Sequence, residues 1–478
     1  MRVNVRLSSL AITTLAAQLG AAPGLHAQAP SVIDGNLRVR TVVSGLTTPT
    51  SMAFLDAATA LVLEKNTGRV IKVVNGAPAG AAIDLAVNFG SERGLLGIAV
   101  HPGFPGNPGV YVYWTESSTG ADTNVLSETP LLGNRVDRYT WDGSGLTFAG
   151  TLIRLRAIQE DADQPPRGNH DGGVLRFGPD GKLYIFIGDA GRRGQMQNLR
   201  DGPFGPGVPD DQFGGPEPDD AHLTGVVLRL NDDGSTPRDN PFFAAGTAIG
   251  GAAGANVQKI FSYGHRNGFG MAFDPESGAL WLQENGDDSF SELNRVVPGM
   301  NGGWVQIAGP VSRIAQFKAI ETTFGGQNLQ QVRWPPANIA DTPGEALSRV
   351  FDLPGSRYAD PAFSWKWEVA PGGIGFLNSR ALGPQFEGDL FMGAATSILE
   401  GGYLFRFNLT GNRGQIAVDD PRLNDRVADN VAKHEITESE TLLFGRHFGV
   451  VTDIQTGPNG NLFVVSLSAG AIYEIHRR

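Results

Sequence analysis

His170 stands in the turn Asn169-His170-Asp171-Gly172-Gly173, with Gly168 before it and no apolar neighbour on its N-terminal side. A neutral imidazole near pH 7 is a competent general base, and the flanking glycines leave the backbone open enough to present it to a cleft. A second constellation, Tyr263-Gly264-His265-Arg266-Asn267-Gly268, offers a planar guanidinium at Arg266 for an anionic ligand and an amide at Asn267. A third gathers Glu284, Asn285, Gly286, Asp287, Asp288 and Glu292 into an acidic, glycine-containing loop of hard oxygen donors, a composition that suits Ca2+ but lacks EF-hand spacing. Each has a plainer alternative: a structural histidine, a salt bridge stapling neighbouring elements, a solvated acidic turn. The proline-broken stretch holding Asp210, Asp211, Glu217, Asp219 and Asp220 reads as solvated.

These loops sit in a recurring frame. An apolar or aromatic residue, a Gly/Pro/Asp/Asn turn and a strand of β-branched and aromatic residues follow one another at 54–63, 100–114, 177–188, 273–283, 382–393 and 456–466. Each unit ends in a run such as Leu183-Tyr184-Ile185-Phe186-Ile187, which is the grammar of a β-hairpin. Recurrent hairpin units predict an all-β, six-bladed β-propeller with long inter-strand loops at 117–134, 191–221 and 308–361; a pair of irregular β-sandwiches is the alternative. The 37–43 segment is placed to complete the last blade beside 471–475. Long amphipathic helices are scarce, with 345–351 as one short exception.

Composition agrees with one large domain. The 65 glycines and 30 prolines in 478 residues are scattered without period, so they punctuate short strands rather than build a collagen. A net charge of −11 with no basic stripe argues against nucleic acid as a partner. With no cysteine, disulfides and thiolate metal sites are excluded. Residues 1–29 have the form of a signal peptide: Arg2 and Arg6, an apolar stretch, and Ala27-Gln28-Ala29, with cleavage after Ala27 or Ala29. This predicts a secreted or periplasmic protein whose mature part, 30–478, is a single propeller domain without membrane insertion, a monomer or weak dimer. There is no dinucleotide fingerprint, P-loop, Gly-x-Ser-x-Gly elbow or HExxH, which disfavours nicotinamide, ATP and α/β-hydrolase chemistry.

Over most of its mature length the chain resembles the soluble quinoprotein glucose/sorbosone dehydrogenases, the aldose sugar dehydrogenases. The marks are GSERGLLGIAVHPGF (90–104), NHDGG with FGPDGKLYIFIGDAG (169–191), LTGVVLRLNDDGSTPRDNPF (223–242), IFSYGHRNGFGMAFDP (260–275), ENGDDSFSELN (284–294) and TGPNGNLFVVSLSAGAIYEI (456–475). The resemblance implies pyrroloquinoline quinone (PQQ) over the central face with a Ca2+ ion beside it. It implies oxidation of the anomeric hydroxyl of an aldose to a lactone, with hydride passing to PQQ and electrons to a separate acceptor. Matched motif by motif, it makes His170 the base, Asp189 its acidic partner, Arg266, Asn267 and Asn285 cofactor contacts, and the carbonyls of Gly286 and Asp287 the calcium side.

The chain departs from the family at the carboxylates of PQQ. A lysine and an Arg-x-Arg pair hold them in the family, whereas the matching positions here are Ala394 to Gly402 and Val450-Val451-Thr452, with no cation. Lys366, Arg380, Arg446 and His447 lie nearby in sequence as replacement cations. Ser291 and Asp287 stand where the family has an acidic residue and a proline. Two other functions follow from the same residues: a Ca2+-dependent propeller lactonase or esterase built on the acidic loop, or a binding propeller that has lost PQQ.

Overall fold

The computed structural model describes residues 28–159, 166–191, 198, 223–323, 335–399 and 401–478. The predicted signal peptide up to residue 27, most of the stretch 191–221 and the acidic residues at 210–220 lie outside them.

Among the described residues strands dominate, and they form six sheets. Each of the six turn-strand units falls on a different sheet. The leading antiparallel pairs are Pro49–Phe54 with Thr59–Glu64, Leu95–Val100 with Gly109–Thr115, and Val174–Phe177 with Leu183–Ile187. The other three are Gly270–Phe273 with Leu280–Glu284, Pro371–Phe376 with Leu390–Ala394, and Val451–Thr456 with Leu462–Ser466. The first strand of every pair packs on the first strand of the next sheet, and that of the last pair returns to Pro49–Phe54. The sheets therefore stand round a common axis, a propeller arrangement that leaves few sheet edges open. The Leu37–Val43 strand pairs antiparallel with Ala471–Arg477, so the N-terminal strand completes the sheet begun at the C-terminal end.

Burial explains the strand sequences. Leu183–Ile187 and Leu462–Ser466 are buried at every position, because each sheet is covered by a neighbour on both faces. Where the innermost strands crowd together, side chains are excluded. A Cβ on Gly97 would stand 1.9 Å from the Gly173 carbonyl oxygen, and one on Gly372 would stand 2.1 Å from that of Val451. Glycine is thus required for that approach.

The short helix expected near 345 is Pro343–Arg349, begun two residues earlier because Thr342 caps it (Oγ1 accepts from the Glu345 N–H at 3.3 Å) and Pro343 suits its first position. Three further helices among the described residues carry no such signal in the sequence: Phe243–Ile249, Gly251–Val257 and Ile314–Thr323. The first two are rich in Ala and Gly and carry no apolar stripe. The third buries Ile314, Phe317, Ile320 and Glu321 on one side. None is long and apolar enough to cross a membrane.

The functional consequence lies in hairpin geometry. The residues before the first strand of an antiparallel pair and those after the second emerge at the same end of the sheet. His170 and Asp189 bracket one such pair, Arg266 and Asn285 the next, Glu368 and Ala395 the one after. One rim of the propeller therefore collects the chemistry-bearing loops of successive sheets.

Candidate functional site

His170 adopts a left-handed backbone (φ 60°), unusual for a non-glycine residue, and is 5% exposed. The conformation is held from a neighbouring sheet, where Glu92 accepts the His170 N–H at 2.7 Å through Oε2. Its ring is fixed by Asp189, with Nδ1 and Oδ1 2.6 Å apart. Asp189 is fully buried and also accepts from the Gly191 N–H at 2.7 Å and from the Trp304 indole N–H at 2.9 Å. Burial alone would raise its carboxyl. The His170 charge and hydrogen bond, with Arg266 and Trp304, override that and hold it below the usual carboxylate range. An ionised acceptor at Nδ1 makes that nitrogen a donor in either state of the ring, so that in the neutral ring the lone pair lies on Nε2, which has no hydrogen-bond partner among the described residues. The neutral ring can therefore accept a proton at Nε2.

Arg266 is brought beside this couple by the backbone bond from the Asp189 N–H to the Arg266 carbonyl, 2.7 Å. Its guanidinium carbon lies 5.5 Å from the centre of the Trp304 ring. Its Nη1 donates to the carbonyls of Asn285 (2.7 Å) and Gly286 (3.1 Å), and Nη2 lies 3.8 Å from Asp287 Oδ1. Asn267 donates to Glu92 Oε2 at 3.1 Å, so Glu92 ties His170 and Asn267 together. Asn285 donates to the Pro371 carbonyl at 3.0 Å. Buried polar atoms normally find partners, yet Arg266 Nε, Asn267 Oδ1, Asn285 Oδ1 and Asp287 Oδ2 have none. Four unsatisfied atoms on adjacent residues suit a polar ligand.

Asp171 and Lys65 lie behind this face. Burial pushes the Asp171 carboxyl up to about 6 against the pull of Arg93 and Asn134, and pushes the Lys65 ammonium down to about 8. At the Asp287 end, Lys433 reaches in from a loop remote in sequence. Its ammonium donates to the Asp287 carbonyl at 2.8 Å and pairs with the Asp288 carboxylate. Burial pushes the neighbouring Glu368 up to about 7, with Lys433 opposing. His265 is spent structurally: Nδ1 meets Glu284 Oε1 at 2.6 Å and Nε2 meets Ser262 Oγ at 2.9 Å.

The sheets led by Pro371–Phe376 and Val451–Thr456 present something different to the same rim. Ala370, Pro371, Ala394, Ala395 and Val451 are buried, and the Ala395 N–H bonds the Ala370 carbonyl at 2.9 Å. The nearby cations do not replace the missing ones. Arg380 is 74% exposed and paired with Glu387, and Arg446 is exposed over the Tyr403 ring. Lys366 is half-buried on the Phe363–Trp367 strand, and His447 bonds the Gly402 carbonyl through its backbone.

The structure therefore places His170, Asp189, Arg266, Asn267 and Asn285 together, with Gly286 and Asp287 at the edge of the group. Sequence reasoning does not single out Glu92, Trp304 or Lys433. Glu92 stands in the GSERGLLG motif; Trp304 and Lys433 carry no motif. The site is thus a polar rim at one end of a sheet ring, with an oriented histidine beside a buried guanidinium. The chain is a member of the Glucose / Sorbosone dehydrogenase family, whose model matches residues 46–312.

Among similar proteins, quinoprotein glucose dehydrogenase B of Acinetobacter calcoaceticus is 30% identical over 63% of this chain and 59% of its own length. The chain thus spans somewhat over half of that relative. Aldose sugar dehydrogenase YliI of Escherichia coli (strain K12) is 25% identical over 81% of this chain and 78% of its own. The PQQ-bound aldose sugar dehydrogenase of Streptomyces coelicolor shares the fold, with a TM-score of 0.56, 24% identity, and coverage of 94% of this chain and 100% of that one.

Proposed function

We propose that this chain is a quinoprotein sugar dehydrogenase, exported, that oxidises the anomeric hydroxyl of an aldose to a lactone with PQQ as hydride acceptor. The observation that carries this is the oriented couple: an ionised Asp189 holds Nδ1 of His170 and leaves Nε2 open beside Arg266. Family membership and the quinoprotein and aldose dehydrogenase names of its relatives support it. His170 Nε2 takes the hydroxyl proton as the carbon gives up hydride, which avoids building an alkoxide first. Asp189 steadies the imidazolium that results. Bound PQQ supplies a two-electron acceptor. Arg266, Asn267 and Asn285, with their unsatisfied atoms, fit its polar edge. Its carboxylates find no charged partner at Ala394–Ala395 or 450–452, so binding is weaker than a full clamp gives. A separate carrier takes the electrons.

The test is dye-linked oxidation of a panel of aldoses by metal-free protein given excess PQQ, alongside a PQQ titration. Turnover with saturable PQQ binding is expected. Neither turnover nor binding would end the proposal. PQQ binding without turnover would instead favour a ligand-binding propeller, the reading suggested by the cation-free half of the rim. Export is tested by N-terminal sequencing of protein recovered from outside the cytoplasm, where loss of the first 27 or 29 residues is expected.

A further inference from the structure

Calcium does not fit the carbonyls that the family resemblance gives it. The Gly286 oxygen already accepts from Arg266 Nη1 at 3.1 Å, and the Asp287 oxygen from Lys433 Nζ at 2.8 Å. Both donors are cationic, and a divalent ion on the same oxygens would face both charges at close range. Three carboxylates nearby, Asp287, Asp288 and Glu321, are close enough to suggest a metal, with ligand atoms within 4.8 Å of one another. Two of them are engaged by other side chains, and the third, Asp287, keeps Oδ2 without a hydrogen-bond partner. Asp288 pairs with Lys433, Ser289 Oγ donates to Glu321 at 2.7 Å, and Arg266 lies 3.8 Å from Asp287.

We propose that the Lys433 ammonium is a built-in replacement for the calcium ion, supplying positive charge at the Asp287 edge of the site and making the protein independent of divalent cations. Two side-chain cations, Arg266 and Lys433, face the three carboxylates Asp287, Asp288 and Glu321, so the lysine offsets a large part of the negative charge gathered at this edge. A calcium ion needs six to eight oxygen ligands and would have to displace the lysine from the Asp287 carbonyl and the Asp288 carboxylate to gather them here. The lysine is well sited to supply this charge. Its side chain is 31% exposed while its partner Asp288 is fully buried, so the lysine links a buried carboxylate to the protein surface. A positive group there also lowers the Glu368 carboxyl against the rise that burial imposes. The inference rests on the quinoprotein reading only for what this charge does during turnover. The charge itself is testable without substrate or PQQ.

The experiment is thermal denaturation and calorimetric titration of the whole protein with CaCl2 alone, before and after EDTA treatment, for the unaltered chain and Lys433→Met. The unaltered chain is expected to show no shift in Tm with calcium or EDTA. Lys433→Met should melt lower, because buried Asp288 loses its partner, and should recover a few degrees on adding calcium, with one saturable site. Identical calcium responses in the two proteins would overturn the proposal, whatever the outcome of the sugar assays. If Lys433→Met does not fold, Lys433→Gln removes the charge, keeps a donor for the Asp287 carbonyl, and is read in the same way. Lys433→Arg should behave as the unaltered chain.

Discussion

Two histidine–carboxylate couples stand on neighbouring sheets, and they are built alike. His170 and Asp189 are 19 residues apart, as are His265 and Glu284. In each, the histidine precedes the first strand of a hairpin, the carboxylate ends or follows the second, and Nδ1 lies 2.6 Å from the carboxylate oxygen. In each, the second carboxylate oxygen accepts from another group: the Trp304 indole at 2.9 Å on Asp189, the Arg266 backbone N–H at 2.6 Å on Glu284. They differ at Nε2. That of His265 is bonded to Ser262 and its side chain is fully buried, whereas that of His170 is open. The couple itself is a device of the fold for tying the two ends of a hairpin together. The proposed chemistry needs the one couple whose far nitrogen has no partner among the described residues.

Removing each histidine separates these roles. His170→Asn keeps a residue that tolerates the left-handed backbone and removes the base. Dye-linked kcat/KM for the preferred aldose should fall about 10²–10⁴-fold, with Tm nearly unchanged and PQQ titration intact. A loss below tenfold would place His170 with His265 as structural. Asp189→Asn comes next. An amide can offer Nδ1 a donor as readily as an acceptor, so the tautomer is no longer fixed. Activity should fall roughly 10–100-fold, with the acidic limb of the pH–rate profile displaced.

The opposite pattern is expected at the second couple. His265→Leu fills the space but leaves Ser262 Oγ and one bond of Glu284 unmet in a buried setting. A stability loss of about 2–3 kcal/mol in urea titration is expected, with aldose oxidation reduced less than tenfold. If activity collapsed while stability held, the two couples would be functionally joined through Arg266, which follows His265 directly and bonds Glu284 through its backbone N–H.

The hairpin frame was legible because its signals are local: a turn and the strand after it lie within a dozen residues. The closing pair of 37–43 with 471–477 was legible too, since a strand left over at each end has one place to go. His170 showed itself by its glycines, and Arg266 with Asn267 by composition, but Asp189 and Asn285 needed the family resemblance. What escaped were contacts made across sheets. Trp304 comes from a loop beyond the Ser289–Val296 strand, Glu92 from the sheet before His170, and Lys433 from far down the chain. None is close in sequence to what it touches. The spacing shared by the two couples was visible in the sequence, but it acquires meaning only once both hairpins are seen to open on one rim. The Gly- and Ala-rich helices at 243–257 lacked the apolar period that would have marked them.

The smallest effect belongs to a carboxyl behind the second couple. Asn294 donates to both Glu284 and Glu292 at 3.0 Å, linking two buried acids that face each other across paired strands. Burial, reinforced by the Glu284 charge, pushes Glu292 up to about 8 from 4.5. In the unfolded chain Glu292 loses its proton near its ordinary value, while in the folded chain it keeps it. Between those limits the folded state binds more protons, so stability is complete below about pH 4.5 and declines as pH rises toward 8. One such proton contributes a slope of at most about 1.4 kcal/mol per pH unit. Asp189 sits on the other couple with its carboxyl lowered, so its contribution runs the other way: present above its ordinary value and lost as the solution is acidified. Glu292→Gln keeps an acceptor for Asn294 or Gly309 and removes the titration. Its Tm should fall less than that of the unaltered chain between pH 5 and 8, while the loss of Tm on acidification below pH 4 is unchanged. Parallel Tm curves for the two proteins across pH 5–8 would show that Glu292 is ionised in the folded state.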